Sequence, residues 1–255
     1  MNNKHRFISL IFFALILIIW EYIAQSGLVS PLLLPSISDI YAAFIELCTE
    51  GYREHTLLEN VAISLQRVLI AFALAAVVGI SLGILSGING YVRAILEPLI
   101  DFLRPLPPLG YYFLLILWFG IDEESKIILL FLSALPPIFI ASFRGINRIK
   151  KDYINSALSM GASRFQLFFF VLFPASLSDI FTGLRIAIGT CYATLVAAEM
   201  VASNSGLGRL VIDASSFNQT DILFVGVILI GLTGVILDRI LAFVKDRVIH
   251  WEGKV

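Results

Sequence analysis

Charge is scarce in this sequence. Only 15% of its 255 residues are Asp, Glu, Lys or Arg, where a soluble domain carries about a quarter. The net charge is −1, so no basic surplus points to nucleic acid. Cysteine is nearly absent as well. Cys48 and Cys191 lie 143 positions apart, without a CxxC or a flanking histidine, which excludes a disulfide framework and a zinc site. The three histidines, His5, His55 and His250, fall outside the apolar runs, and no cofactor-binding, metal-ligating or catalytic set emerges. A G-x-S-x-G is missing, and so is the G-x-x-x-x-G-K-[ST] loop that cradles nucleotide phosphates. The chain therefore does not hydrolyse ATP itself. It also lacks an internal repeat, which many ion-coupled secondary transporters have.

Hydrophobic residues are abundant instead, at 58%, with a mean hydropathy of +0.91. That balance suits a lipid solvent. A membrane-spanning helix needs about 20 mainly apolar residues, and six stretches approach this: 7–24, 60–86, 97–119, 126–143, 177–200 and 221–243. Backbone amides in a bilayer core must be satisfied within their own segment, so the expected fold is all-α, a polytopic helix bundle. The first stretch, with Lys4 and Arg6 before it and Ala24-Gln25-Ser26-Gly27 after it, imitates a secretory signal. Five further apolar segments follow, so it reads as an uncleaved span.

Cations are distributed unevenly between the connecting segments. With the N-terminus inside, the inner segments hold eleven: Lys4, Arg6, Arg93, Arg144, Arg148, Lys150, Lys151, Arg164, Lys245, Arg247 and Lys254. The outer ones hold three, Arg53, Lys126 and Arg209. This asymmetry places both termini in the cytoplasm. The long outer connection, 25–59, contains an amphipathic stretch from Ile37 to Leu47 that reads as an interfacial helix. One transmembrane domain over 1–255 is expected, with 1–59 as a first span plus external segment, 60–243 as the core and 244–255 as a tail.

The inner connection, 144–176, carries the most specific pattern. Residues 152–174 read as two short helical segments broken at Gly161-Ala162-Ser163, with Pro174 ending the second. Ala157, Gly161 and Ala162 are small enough for another surface to approach the backbone. Phe165 and Phe168–Phe170 are costly to leave in water. This segment resembles the EAA loop of binding-protein-dependent ABC importer permeases: E-A-A, three residues, Gly, nine residues, I-x-L-P. Here the matching positions are Asn155-Ser156-Ala157, then Gly161, then Val171-Leu172-Phe173-Pro174, so the opening glutamate is missing while the spacings hold. Ala162, Ser163 and Arg164 complete the elbow.

Arg104-Pro105-Leu106-Pro107-Pro108-Leu109, Trp118-Phe119-Gly120-Ile121, Gly183-Leu184-Arg185 and Leu195-Val196-Ala197-Ala198-Glu199 are similar to the nitrate, sulfonate and taurine branch of that family. Trp251-Glu252-Gly253 is similar to the tail of its taurine permeases. The resemblance implies a type I importer permease fold in a bacterial cytoplasmic membrane. It implies a homodimer of permeases bound to two ATP-binding subunits, with an external binding protein delivering substrate. The best match implies taurine; an alkanesulfonate, nitrate or a pyrimidine precursor is the alternative, and an ion-coupled transporter a more distant one.

Within the spans, Ala71, Ala75, Gly79, Gly83 and Gly87 recur every four residues, a smooth face for helix packing. Glu97, Asp101 and Arg104 share a face just before a proline cluster, which suggests an Asp101–Arg104 pair or a cation beside an anion path. Pro136-Pro137 is expected to kink its span. Arg185 and Glu199 stand 14 residues apart, about 21 Å along a helix, too far to pair. Arg185 is expected to snorkel. Glu199 is expected to pair with Arg67 or to offer a carboxylate to solute. Arg67, Arg104, Arg185 and Glu199 are thus the candidates for a path or gate, beside membrane lipid and protein partners.

Overall fold

The computed structural model describes residues 3–250, so the Trp251-Glu252-Gly253 tail lies outside the described residues. Among them there is no sheet, only an isolated bridge between Tyr52 and His55. The helices are α1 (Asn3–Gln25), α2 (Ile37–Thr49), α3 (Leu57–Ile88), α4 (Gly90–Leu103), α5 (Pro108–Phe119), α6 (Glu123–Asn147), α7 (Lys151–Ser159), α8 (Arg164–Leu167), α9 (Phe173–Ala202), α10 (Leu207–Ser216) and α11 (Thr220–Val248). A π-helical turn, Phe168–Leu172, joins α8 to α9.

Four uninterrupted helical stretches, Leu57–Ile88, Glu123–Asn147, Arg164–Ala202 and Thr220–Val248, are long and apolar enough to cross a membrane. The expected span 97–119 is instead two helices, α4 and α5, bent by 101° where Arg104-Pro105-Leu106-Pro107 intervenes. Three prolines within four positions cannot supply the regular donors, so the helix breaks there. The first expected span, 7–24, falls within α1. Lys126, expected in a connection, lies inside α6 and is 3% exposed.

The chain forms two compact units. One comprises the described residues through Ile63 together with Asn204–Gly231. Its core is built from Ala43, Leu47, Leu57, Leu210, Ala214, Ile222 and Val225. Ser36 caps α2: its hydroxyl accepts from the Asp39 amide while the Asp39 carboxylate accepts from the Ser36 amide, two otherwise orphaned donors satisfied together. The apolar face of α2 docks on protein through Ala43 and Leu47. Trp20 donates to the Pro35 carbonyl at 2.9 Å and meets Phe224 edge-on, fixing α1 to the same core.

The other unit comprises Ser64–Ser203 and the residues from Leu232 onward. Here α6 and α9 form the most extensive helix pair. The small-residue face of α3 does what its spacing suggested: Ala71 and Ala75 are fully buried, and Gly79 and Gly87 sit against Ile138 and Ile146 of α6. At Gly83 a Cβ would stand 2.6 Å from the Phe139 carbonyl oxygen, so only glycine lets the backbones approach this closely. α6 runs on through Pro136 and Pro137 without interruption.

Candidate functional site

The elbow between α7 and α8 is set by local chemistry. Gly161 has φ +84°, the left-handed region that a side chain disfavours. Its amide donates to the Leu158 carbonyl at 2.9 Å, and the Ala162 amide donates to the Ala157 carbonyl at 3.1 Å. These two bonds are the Schellman closure of a helix C-terminus. Ser163 then starts the next helix, exchanging hydrogen bonds with Gln166: the Ser163 amide donates to Oε1 at 2.8 Å and the Gln166 amide to the Ser163 hydroxyl at 3.3 Å. A Cβ at Gly161 would meet nothing within 4 Å, so within this chain it is the turn that calls for glycine.

Asn155 and Ser156 lie exposed on α7, Ala157 half-buried behind them, and Arg164 exposed at the start of α8. Asn155, where the family pattern has glutamate, makes no side-chain hydrogen bond or ion pair among the described residues. Apolar side chains surround the elbow in the open: Met160 is 87% exposed, Phe165 70% and Tyr153 61%. Phe165 and Phe168 both pack on Phe169, at 4.4 and 4.9 Å between centroids.

Pro174 does not end a helix, contrary to expectation. Val171 belongs to the π turn, Phe173 and Pro174 to the first turn of α9, and the apolar helix continues from Arg164 to Ala202. The widened turn immediately before Pro174 makes room where a proline ring would otherwise strike the preceding turn. Arg148 holds this base to α6's end, 3.0 Å from Asp179.

Arg67 is the centre of a second constellation. It is 3% exposed and grips Glu123 with Nε and Nη2, both at 2.6 Å, while Nη1 donates to Glu199 at 2.7 Å. Ser64 donates to both Glu199 oxygens, at 2.8 and 3.0 Å. Lys126 donates to the Ile121 carbonyl at 2.8 Å and stands 3.4 Å from Glu123. The expected Arg67–Glu199 pair is thus present. Glu199 is 0% exposed and lines neither cavity described below, so its carboxylate is not offered to a solute in this conformation.

Arg185 does not snorkel: its guanidinium grips Asp238 of α11 at 2.8 and 2.7 Å. Among the described residues Asp101 and Arg104 form no ion pair; Glu97 instead pairs with Arg93 at 2.8 Å. Arg104 lies exposed at the α4–α5 bend, on the wall of a cavity of about 220 Å³ shared with Tyr111, Ser133, Pro136, Pro137 and Thr190. A second cavity, about 330 Å³, lies within the first unit and is lined by Arg53, Asn60, Arg209 and Asp213 among others. Arg53 and Arg209 share Asp213 Oδ2 there, at 2.9 and 3.0 Å. Burial pushes the neighbouring Tyr52 hydroxyl up from its ordinary pKa, against the pull of Arg53.

Glu123, Lys126, Ser64, Asp179 and Asp238 escaped the sequence reading. Asp238, an acid inside the apolar run 221–243, was the available signal, since a carboxylate there requires a partner.

A family model for the inner membrane component of binding-protein-dependent transport systems matches residues 79–250. This chain belongs to that family. The permease is 37% identical to the taurine transport system permease protein TauC of Escherichia coli K12, over 95% of its own length and 88% of that protein's. It is 34% identical to the nitrate import permease protein NrtB of Synechocystis, over 94% and 88%. In fold it is similar to a chain of the MetNI methionine ABC transporter, seen there in an inward-facing conformation, with a TM-score of 0.64 at 19% identity, covering 76% of the permease and 94% of that chain. The permease is therefore a non-catalytic, multi-pass membrane subunit of an ABC importer with the type I fold, and the ion-coupled alternative falls away.

Proposed function

We propose that this permease imports a small sulfonate, with taurine the first choice, across a bacterial cytoplasmic membrane. Two copies form the path, and each seats one of two ATP-binding subunits on its Gly161 elbow. An external binding protein delivers the substrate. Both termini and the elbow face the cytoplasm, in keeping with the eleven cations on that side against three on the other. ATP binding draws the elbows together and opens the bundle outward; hydrolysis lets it reopen inward.

The observation that carries this reading is the elbow itself. A turn closed at one end by backbone bonds and at the other by the Ser163–Gln166 cap holds Met160, Phe165 and Tyr153 in the open at the tip of a helix that continues through the bundle to Ala202. Exposed apolar side chains around such a turn suit a partner surface, and the unbroken run from Arg164 suits transmission of force. The taurine assignment draws on the likeness to the taurine permease and on the bend chemistry at Arg104.

Co-purification with an ATP-binding subunit, reconstitution and assay with taurine-loaded binding protein test this directly. Stimulated hydrolysis coupled to taurine uptake is expected. Stimulation by nitrate or a longer alkanesulfonate alone would replace the substrate while keeping the machine.

A further inference from the structure

The cavity at the α4–α5 bend is lined from two chemically different sides of the chain, the bend with α5 and the helices α6 and α9. On one stand Arg104 and Tyr111, and neither side chain is hydrogen-bonded or ion-paired among the described residues. Both are donors, one of them permanently cationic. On the other stand groups that can only accept. Ser133 already gives its hydroxyl proton to the Leu130 carbonyl at 2.8 Å, and Thr190 gives its own to the Ile186 carbonyl at 3.1 Å, which leaves oxygen lone pairs. Leu132 and Ser133 also line the cavity, and Pro136 and Pro137 stand four residues after them. A proline has no N–H, so these two carbonyls lack their regular helical donors.

A single-signed ligand leaves one of these sides unmatched. A plain anion satisfies Arg104 and Tyr111 but also meets the acceptor oxygens of α6 and α9, which repel it. Nor is lipid a suitable neighbour, because a bare guanidinium and a broken helix within a span are tolerated only beside protein or a watery cavity. The volume, about 220 Å³, lies below the roughly 300–1,000 Å³ of pockets for drug-sized ligands. It admits a molecule of few heavy atoms.

We infer that this cavity is a binding site for a small zwitterion, its sulfonate on Arg104 and Tyr111 and its ammonium on the oxygens of Leu132, Ser133 and Thr190. The inference rests on the sulfonate reading above and adds to it that the permease, besides the binding protein, selects for the ammonium group. Arg104, Tyr111 and the proline pair become specificity-determining residues.

The test uses the permease–ATPase complex in nanodiscs without binding protein, with radiolabelled taurine as ligand and ethanesulfonate, which lacks the ammonium, as competitor. Saturable taurine binding is expected, with ethanesulfonate at least about tenfold weaker, since one set of charge-assisted bonds is lost. R104Q should weaken taurine at least about tenfold while R104K recovers part of it. P137A returns a donor to the Ser133 carbonyl and should narrow the gap between the two ligands. Each variant is first checked for co-purification with its ATPase and for its thermal midpoint, so that misfolding is separated from lost binding.

Absent saturable binding, R104Q binding within about twofold of the unmodified complex, or equal competition by ethanesulfonate overturns the site. Taurine uptake by the complete assembly is measured in parallel. If uptake proceeds while the binding results fail, the site alone is wrong; if the unmodified assembly takes up no taurine, the substrate reading falls and the site with it.

Discussion

Glu199 and Arg67 show how a buried charge constrains a membrane helix. Removing two ions from water costs more than their attraction returns unless every lone pair and proton is matched, and a buried pair adds little net stability. Here Arg67 matches two carboxylates and Glu199 takes a further bond from Ser64. Breaking the set from one side is another matter. Glu199→Ala should lower the unfolding free energy by about 3–5 kcal/mol, because Arg67 loses its fully buried carboxylate partner while Glu123 is the more exposed one. The double replacement Arg67→Met with Glu199→Leu should recover most of that loss. Unfolding of purified protein in graded denaturant measures both, and a double variant no more stable than Glu199→Ala would count against the clamp. Glu199→Gln keeps the shape and the Ser64 bond but not the charge; assembly should survive while uptake falls. Normal uptake by that variant would remove the pair from the transport cycle. The Arg67 partnership was half legible beforehand: two opposite charges in separate spans require partners, but Glu123, at the first turn of α6, looks in sequence like an ordinary connecting residue.

At the scale of elements, two glycines do opposite jobs. Gly161 has open space around it and a left-handed backbone, so a side chain there costs roughly 1–2 kcal/mol through conformation alone. Asparagine tolerates that region and valine does not. Gly161→Asn should therefore keep more coupled uptake than Gly161→Val, with hydrogen exchange across 155–167 rising only in the latter; equal loss in both would mean the turn is not what matters. Gly83 has ordinary helical geometry but no room, with the Phe139 carbonyl and Ser142 side chain against it. Gly83→Leu should abolish a monodisperse peak in detergent chromatography, whereas Gly90→Ala, where nothing lies within 4 Å, should not. The spacing of small residues in α3 revealed its packing face because a four-residue repeat lies on one side of a helix. Pro174 misled for a physical reason: the π turn Phe168–Leu172 just before it widens the turn that its ring would otherwise strike. Likewise the amphipathic face of α2 was visible, but amphipathicity alone does not say whether protein or lipid covers it; Ala43 and Leu47 meet protein.

For the whole molecule, the all-α class, the positions of the long apolar helices and the elbow's break at Gly161 were readable from hydropathy and turn chemistry. The 101° bend was foreshadowed by Pro105, Pro107 and Pro108, though its angle depends on packing that no local pattern encodes. The central claim is mechanical: work done by a separate ATPase enters this bundle through the turn at Gly161. It is tested most directly by placing a photo-crosslinker at Met160, whose side chain stands 87% exposed at that turn, in the assembled importer. Crosslinks should form to the ATP-binding subunit, change in yield between nucleotide-free and ATP-bound states, and be accessible from the inner face of the membrane. Labelling from the outer face, or crosslinks that never involve the ATP-binding subunit, would contradict it.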